Sequence, residues 1–322
     1  MDPMALSPKE NLLRAIRYDR PDHVPYAGEG AYALVDCPGR RPPRQGPDEW
    51  GVTWAPLPES YVASEEEPAL SYPAAPAARS VSELLERPFP SAVAPELYRG
   101  LLRSIDPTRT LVIGQHPAGP LDRLVSLVGM EQAMLAMLRE PGAALAVLNR
   151  IAGYHVQVAQ GYLAAGAEAG WLADDYAGSA GPFLDLRLWR RLILPALVQI
   201  ISVYRAADAP VFFHTCGQAA AFVPDLIAAG VTVFNLESAA CDLEALKARF
   251  GQRIAFFGGV SASVLLHGTP EDVRQAARSA ILTLGRDGGL VLAPDQPLAF
   301  PPANLAALQD AARAYGGYPL PG

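Results

Sequence analysis

His214 and Cys216, one residue apart in Val211-Phe-Phe-His-Thr-Cys-Gly-Gln218, are the pair in this chain best suited to chemistry. An imidazole nitrogen and a thiolate are ligands that one soft cation such as zinc accepts together. The apolar run Ala209-Pro-Val-Phe-Phe213 reads as a buried strand, and Gly217 with the alanines beyond it reads as the opening of a helix. Alternate residues of a strand project to one side, so positions 214 and 216 can reach a single ion at the strand's C-terminal end. The same spacing also fits a buried cysteine beside an unrelated histidine.

Other polar residues collect at the same relative place along the chain. Thr110–Gly114 reads as a strand ending at Gln115 and His116, and Glu168–Ala173 as one ending at Asp174 and Asp175. Val231–Asn235 carries Asn235 and leads to Glu237; Ile254–Gly258 and Leu290–Ala293 follow, the latter leading to Asp295. His23–Tyr26 is expected as the first strand, with Glu29 just past it. Asp174, Asp175 and His116 are the candidates for proton transfer, although two adjacent acids equally suit a solvated turn or a helix cap. Helical patterns over 7–18, 129–138, 141–165, 186–206, 242–250, 270–284 and 302–315 separate these runs.

Continuous apolar strands alternating with helices imply a parallel sheet in an α/β fold. Eight such units make a (β/α)8 TIM barrel, whose chemistry sits at the C-terminal ends of the strands. We read residues 1–322 as a single domain, interrupted at 36–95 by a long Pro-rich excursion packed over one barrel end. That excursion holds the Pro- and Arg-rich run 38–43 and the acidic run 65–67, and Trp50-Gly-Val-Thr-Trp54 points to an ordered hairpin or lid within it.

Composition narrows the function classes. The 322 residues carry a net charge of −7 and no basic stripe, which argues against a nucleic-acid surface or an anionic membrane as partner. Lysine occurs only at Lys9 and Lys247 while arginine is plentiful, a compositional bias rather than a functional signal. Cys37, Cys216 and Cys241 cannot build a disulfide framework, and the start Met1-Asp-Pro-Met4 lacks the pattern of a secretory leader. A cytoplasmic location is the expectation, and no uninterrupted apolar run reaches membrane-spanning length.

Several segments together resemble the uroporphyrinogen decarboxylase superfamily. They are Pro8-Lys-Glu-Asn-Leu-Leu-Arg-Ala-Ile16 with Asp19-Arg-Pro-Asp-His-Val-Pro25, Asp48-Glu-Trp-Gly-Val52, Asp174-Asp-Tyr176, Phe212-Phe-His-Thr-Cys-Gly217, Phe256-Phe-Gly-Gly-Val260, Gly268-Thr-Pro-Glu-Asp-Val-Arg274 and Pro301-Pro-Ala-Asn-Leu305. The resemblance covers nearly the whole chain and implies a (β/α)8 barrel with one of two activities, porphyrinogen decarboxylation or zinc-dependent methyl transfer from a corrinoid. The decarboxylase branch grips its substrate's carboxylates with an Arg-rich N-terminal loop, whereas Val24–Asp36 holds no arginine here.

The resemblance to the methyltransferase branch implies zinc ligation by His214 and Cys216. That branch generally supplies a further cysteine after the last strand, where this chain reads Ala293-Pro-Asp-Gln-Pro297. Asp295, with Glu237, is therefore expected to complete the ligand set. Gln296 competes for that place, but a neutral amide is a weak ligand. Asn235 and Gly259 are the positions expected to touch a cofactor. The function expected is methyl transfer between a corrinoid or folate carrier and a metal-activated small acceptor, a thiol foremost, with the corrinoid held on a partner protein. The alternatives are a metal-free, uroporphyrinogen decarboxylase-like lyase using Asp174 or Asp175, and a non-catalytic tetrapyrrole- or corrinoid-binding protein.

Overall fold

The apolar runs become strands, and they pair in the order in which they occur along the chain. The computed structural model describes residues 6–37, 43–56, 71–91, 95–116 and 118–321. Strands β1 (Tyr32–Asp36), β2 (Leu111–Gln115), β3 (Ala169–Ala173), β4 (Val211–Thr215), β5 (Val233–Leu236), β6 (Ala255–Val260) and β7 (Leu290–Pro294) form one parallel sheet in that sequence. Both faces are buried, which is why the strands lack a polar alternation. Ile113, Trp171, Phe212, Val233, Phe257 and Val291 cluster on one face, where the sheet curls around them. Their neighbours Val112, Leu172, Phe213, Phe234, Phe256 and Leu292 belong to the larger core on the other face. Burying each such side chain contributes ~1.5–3 kcal/mol.

The (β/α)8 barrel expectation is met in part: a curled parallel sheet compatible with a TIM-barrel-like fold forms, with seven strands among the described residues. The segment His23–Tyr26 makes a single parallel bridge, from Tyr26 to Leu292. Hydrogen bonds from Ala27 N to Leu292 O (2.8 Å) and from Leu292 N to Pro25 O (2.7 Å) flank it. Pro25 has no N–H to extend the ladder, and positive φ at Gly28 (91°) and Gly30 (84°) turns the chain back towards β1. Strand β1 itself is absent from the sequence expectation.

Helix α1 (Pro8–Arg17) closes the end of the sheet where the strands begin. Ser7 caps it by accepting from Glu10 N, and Leu12 and Ile16 enter the interior cluster. Outside the sheet lie α2 (Pro120–Val128), α3 (Pro141–Ala165), α4 (Leu194–Ala206) and α5 (Pro270–Leu284). The amphipathic stretch expected over 186–206 is two helices, Leu186–Leu192 and α4, with Pro195 in the first turn of the latter. Helix α2 is a further element that the sequence pattern does not reveal. Close approach of helices to strands depends on two glycines. A Cβ at Gly114 would stand 2.4 Å from the Tyr162 ring, and one at Gly170 would stand 2.4 Å from the Tyr204 ring.

The excursion is ordered where it is described. Gly46–Pro47, Thr53–Pro56 and Ser71–Ala75 form a small antiparallel sheet. Asp48 holds its turn, accepting from Trp50 N, Val52 N and Trp54 Nε1, each at 2.9 Å. Trp50 packs edge-on against Tyr154 of α3, 4.9 Å between centroids, so this sheet docks on the helical layer. Residues 38–42 and 57–70, with most of the Pro- and Arg-rich run and the whole acidic run, lie outside the described residues. No described helix is long and apolar enough to cross a membrane.

Candidate metal centre

The parallel register brings the ends of β3, β4 and β5 level. His214 stands opposite Ala173 of β3 on one side and Asn235 of β5 on the other. Alternation then directs His214 and Cys216 to the same side, and His214 Nε2 lies 3.3 Å from Cys216 Sγ. Asp175, two residues past the level of Ala173, joins them. One ligand atom each from Asp175, His214 and Cys216 falls within 4.8 Å of the other two. The turn that follows requires glycine: Gly217 has φ of +68°, and a Cβ there would sit 2.5 Å from Ala177 O.

Hydrogen bonds orient each member of the trio. Asn235 Nδ2 donates to Phe257 O at 2.6 Å, so its Oδ1 faces His214 Nδ1, also at 2.6 Å. That contact puts the imidazole proton on Nδ1 and leaves the Nε2 lone pair directed at the cluster. Asp175 Oδ1 accepts from Cys216 N at 2.8 Å, tying the two loops together. Burial first, and the charge of Asp175 next, push the Cys216 thiol up to about 12. Two anionic donors and one neutral nitrogen, with the nitrogen's tautomer preset, suit a divalent cation of zinc's type.

The remaining expected residues divide into those beside the trio and those employed elsewhere. Glu237 borders the site, its Oε2 accepting from Gly217 N at 2.6 Å and its Oε1 from Gln296 Nε2 at 3.1 Å. Gln296, the weaker candidate on chemical grounds, is the residue of the last loop that reaches Cys216, its Nε2 3.2 Å from Sγ. Asp295 does not reach the trio. Its Oδ2 accepts from Ser238 N (2.9 Å) and Ser238 Oγ (2.8 Å), and its Oδ1 from Ala262 N (2.8 Å), so it clasps two loops. Cys241, likewise, donates to Gly217 O at 3.3 Å behind the turn.

Asp174 and Asp175, adjacent in sequence, part company. Asp174 is fully buried and accepts from Leu121 N (3.1 Å), Asp122 N (2.8 Å) and Tyr176 Oη (2.8 Å), satisfying the first turn of α2. Burial raises its carboxyl to about 7 against the pull of those donors. Asp122 is raised well above the usual carboxylate range, by burial and then by the charge of Asp174. His116 also leaves the site for the helical layer. It is buried, with Nδ1 3.0 Å from His155 Nδ1 and Nε2 2.8 Å from Tyr204 Oη.

Asn235 and Gly259, the residues expected to touch a cofactor, have neighbours of their own in the structure. Asn235 is spent on His214 and Phe257 O. A Cβ on Gly259 would point at Ala280 of α5, 3.1 Å away, while one on Gly258 would meet Asn235 Nδ2 at 3.3 Å. Positive φ at both glycines (92° at Gly259 and 141° at Gly258) breaks the strand's alternation. Asp122 and Ser238, neither singled out from sequence, act through contacts that no local pattern announces.

Comparison with known proteins bears on this arrangement. The curated proteins include no sequence match to the chain. The fold matches a methyltransferase from Methanosarcina mazei with a TM-score of 0.72 and 18% identity, over 96% of this chain and 99% of that one. A B12-independent methionine synthase from Shewanella sp. W3-18-1 gives 0.48 at 14% identity, over 70% of this chain and 67% of that one. A putative vitamin-B12 independent methionine synthase from Listeria monocytogenes gives 0.47 at 17%, over 70% and 69%. The first likeness shows a shared fold, and the other two are too distant to carry an argument. The family model described as Uroporphyrinogen decarboxylase (URO-D) matches residues 62–315. With that model spanning well over half of its length, the chain belongs to the uroporphyrinogen decarboxylase family.

Proposed function

We propose that this protein is a metal-dependent methyltransferase, in which Asp175, His214 and Cys216 hold zinc at the mouth of the sheet and a small acceptor, foremost a thiol, binds there to receive a methyl group. The observation that carries the reading is the convergence of those three ligand atoms within 4.8 Å at the strands' C-terminal ends. Membership of a family with a methyltransferase branch supports it, as does the likeness in fold to the Methanosarcina mazei enzyme. Zinc, when bound, supplies Lewis acidity that keeps a thiol acceptor deprotonated and nucleophilic at neutral pH.

The chain's own residues have separable tasks in this reading. Asn235 fixes the His214 tautomer, and Asp175, already bonded to Cys216 N through Oδ1, offers its other oxygen as the third ligand. A His/Cys/carboxylate set is harder than one with two thiolates, so the cation it holds is more electron-poor. A corrinoid or folate carrier on a partner is the proposed methyl donor. Porphyrinogen decarboxylation is disfavoured because Val24–Asp36 offers no arginine for substrate carboxylates, while Asp174, one of the two acids considered for proton transfer, is committed to α2.

Metal content tests the proposal. Untagged wild-type protein should carry close to one zinc per chain, and Cys216→Ser and His214→Ala should each lose most of it while keeping the native circular dichroism spectrum. Near-stoichiometric zinc in the double variant would sink the assignment.

A further inference from the structure

Gln296 lies in the loop that follows β7, and its side chain does something a thiolate cannot do. Its Nε2 lies 3.2 Å from Cys216 Sγ and 3.1 Å from Glu237 Oε1. Glu237 Oε2 accepts in turn from Gly217 N at 2.6 Å. One carboxylate thus grips both the backbone just after Cys216 and the amide that reaches its sulfur. A carboxylate only accepts, so the amide must present its NH2 group to Glu237, and the other N–H of that group is then the one facing Sγ. Gln296 is half-buried, and so are Cys216 and Glu237, so these hydrogen bonds are partly shielded from water.

We infer that Gln296, anchored by Glu237, is a positioning residue for Cys216: it donates a hydrogen bond to the sulfur that holds the metal, fixing its direction and drawing electron density from it. The inference rests on the metal reading above. A hydrogen bond to a ligating thiolate stabilises the sulfur lone pairs, so the sulfur gives less charge to the cation. A cysteine in this loop would add a further anionic sulfur to the cation. In this chain the amide adds none and withdraws from the sulfur that remains. Glu237, expected as a ligand from the sequence, is assigned instead to holding the donor in place.

Cobalt(II) in place of zinc makes the sulfur's electronic state visible as a sulfur-to-cobalt charge-transfer band. Gln296→Leu should still bind one cobalt per chain, about 10-fold more weakly, with the band moved to lower energy because the sulfur lone pairs are no longer stabilised. Glu237→Gln should move the band the same way, and combining it with Gln296→Leu should add nothing, since both act through one hydrogen bond. Gln296→Met, of similar length but without an N–H, gives the same readout if the leucine variant fails to fold. A band unchanged in the Gln296 variants with cobalt bound would overturn the positioning role and leave the metal reading standing. Additive shifts would overturn the anchoring role of Glu237. Wild-type protein that takes up no cobalt would overturn both readings together.

Discussion

Asn235 determines which nitrogen of His214 is free. Its amide is held by Phe257 O on one side and accepts the imidazole proton on the other, so Nε2 faces Cys216 before any ion arrives. Asn235→Ala removes that restraint and, because the residue is buried within β5, also takes a hydrogen-bond donor from Phe257 O. Zinc affinity should fall by about 10- to 100-fold, as for other groups that orient a ligand. Competition against a chromophoric chelator measures it, and an unchanged affinity would mean that something else sets the tautomer. At this scale the sequence is informative about direction and silent about prior commitments. His214 and Cys216 are legible because alternation alone puts them on one side. Asp295 is misleading because the Ser238 hydroxyl and two backbone N–H groups that occupy it come from other loops.

Strand-to-helix junctions give neighbouring residues opposite employment, and Asp174 and Asp175 are the clearest instance. Asp174 turns sideways to the N-terminus of α2, where Gly119 leaves it room: a Cβ at 119 would stand 2.2 Å from its side chain. Asp175 points into the mouth, beside His214 and Cys216. Asp174→Ala strands two helix N–H groups and the Tyr176 hydroxyl in a buried setting, and should cost about 3 kcal/mol or more of stability. Asp175→Ala should cost less than about 1 kcal/mol and abolish metal binding. Urea unfolding paired with metal analysis separates the two, and the account fails if Asp174→Ala is as stable as wild type. The repeated strand–helix alternation makes the sheet legible in sequence. Helix α2 is hidden because the residue that satisfies its first turn is Asp174, more than fifty positions away.

Across the whole molecule, the two ends of the sheet divide the work. Both lysines serve the end closed by α1. Lys9 Nζ pairs with Glu168 at 2.6 Å, and Lys247 Nζ donates to Tyr18 Oη at 2.7 Å, so the candidate metal centre at the other end can be altered without loosening this plug. Between sheet and helices, His116 and His155 form a buried pair that links the site-bearing layer to acid stability. Burial lowers His116 to about 3, and burial, followed by the neighbouring His116, lowers His155 well below its usual range. Both are neutral in the folded protein, whereas each titrates near 6.5 once unfolded. Between pH 6.5 and 3 the unfolded chain therefore binds protons that the folded chain refuses, and the pair's contribution to stability falls as pH drops through that window. Asp174 and Asp122 oppose this. Both are raised in the folded state, Asp174 to about 7, so each retains a proton that the unfolded chain has released, and their contribution grows as pH falls towards 4. The two effects mask each other in the wild-type profile, and a histidine variant is needed to resolve them. His116→Gln should be destabilised at pH 7.5, where the neutral imidazole's contacts with His155 and Tyr204 are lost. By pH 5 that deficit should shrink by about 2 kcal/mol, because the variant no longer suffers the proton uptake of His116 on unfolding. Urea midpoints at closely spaced pH values give the comparison directly. A difference between variant and wild type that stays constant from pH 7.5 to 4.5 would show that His116 is not held neutral by burial.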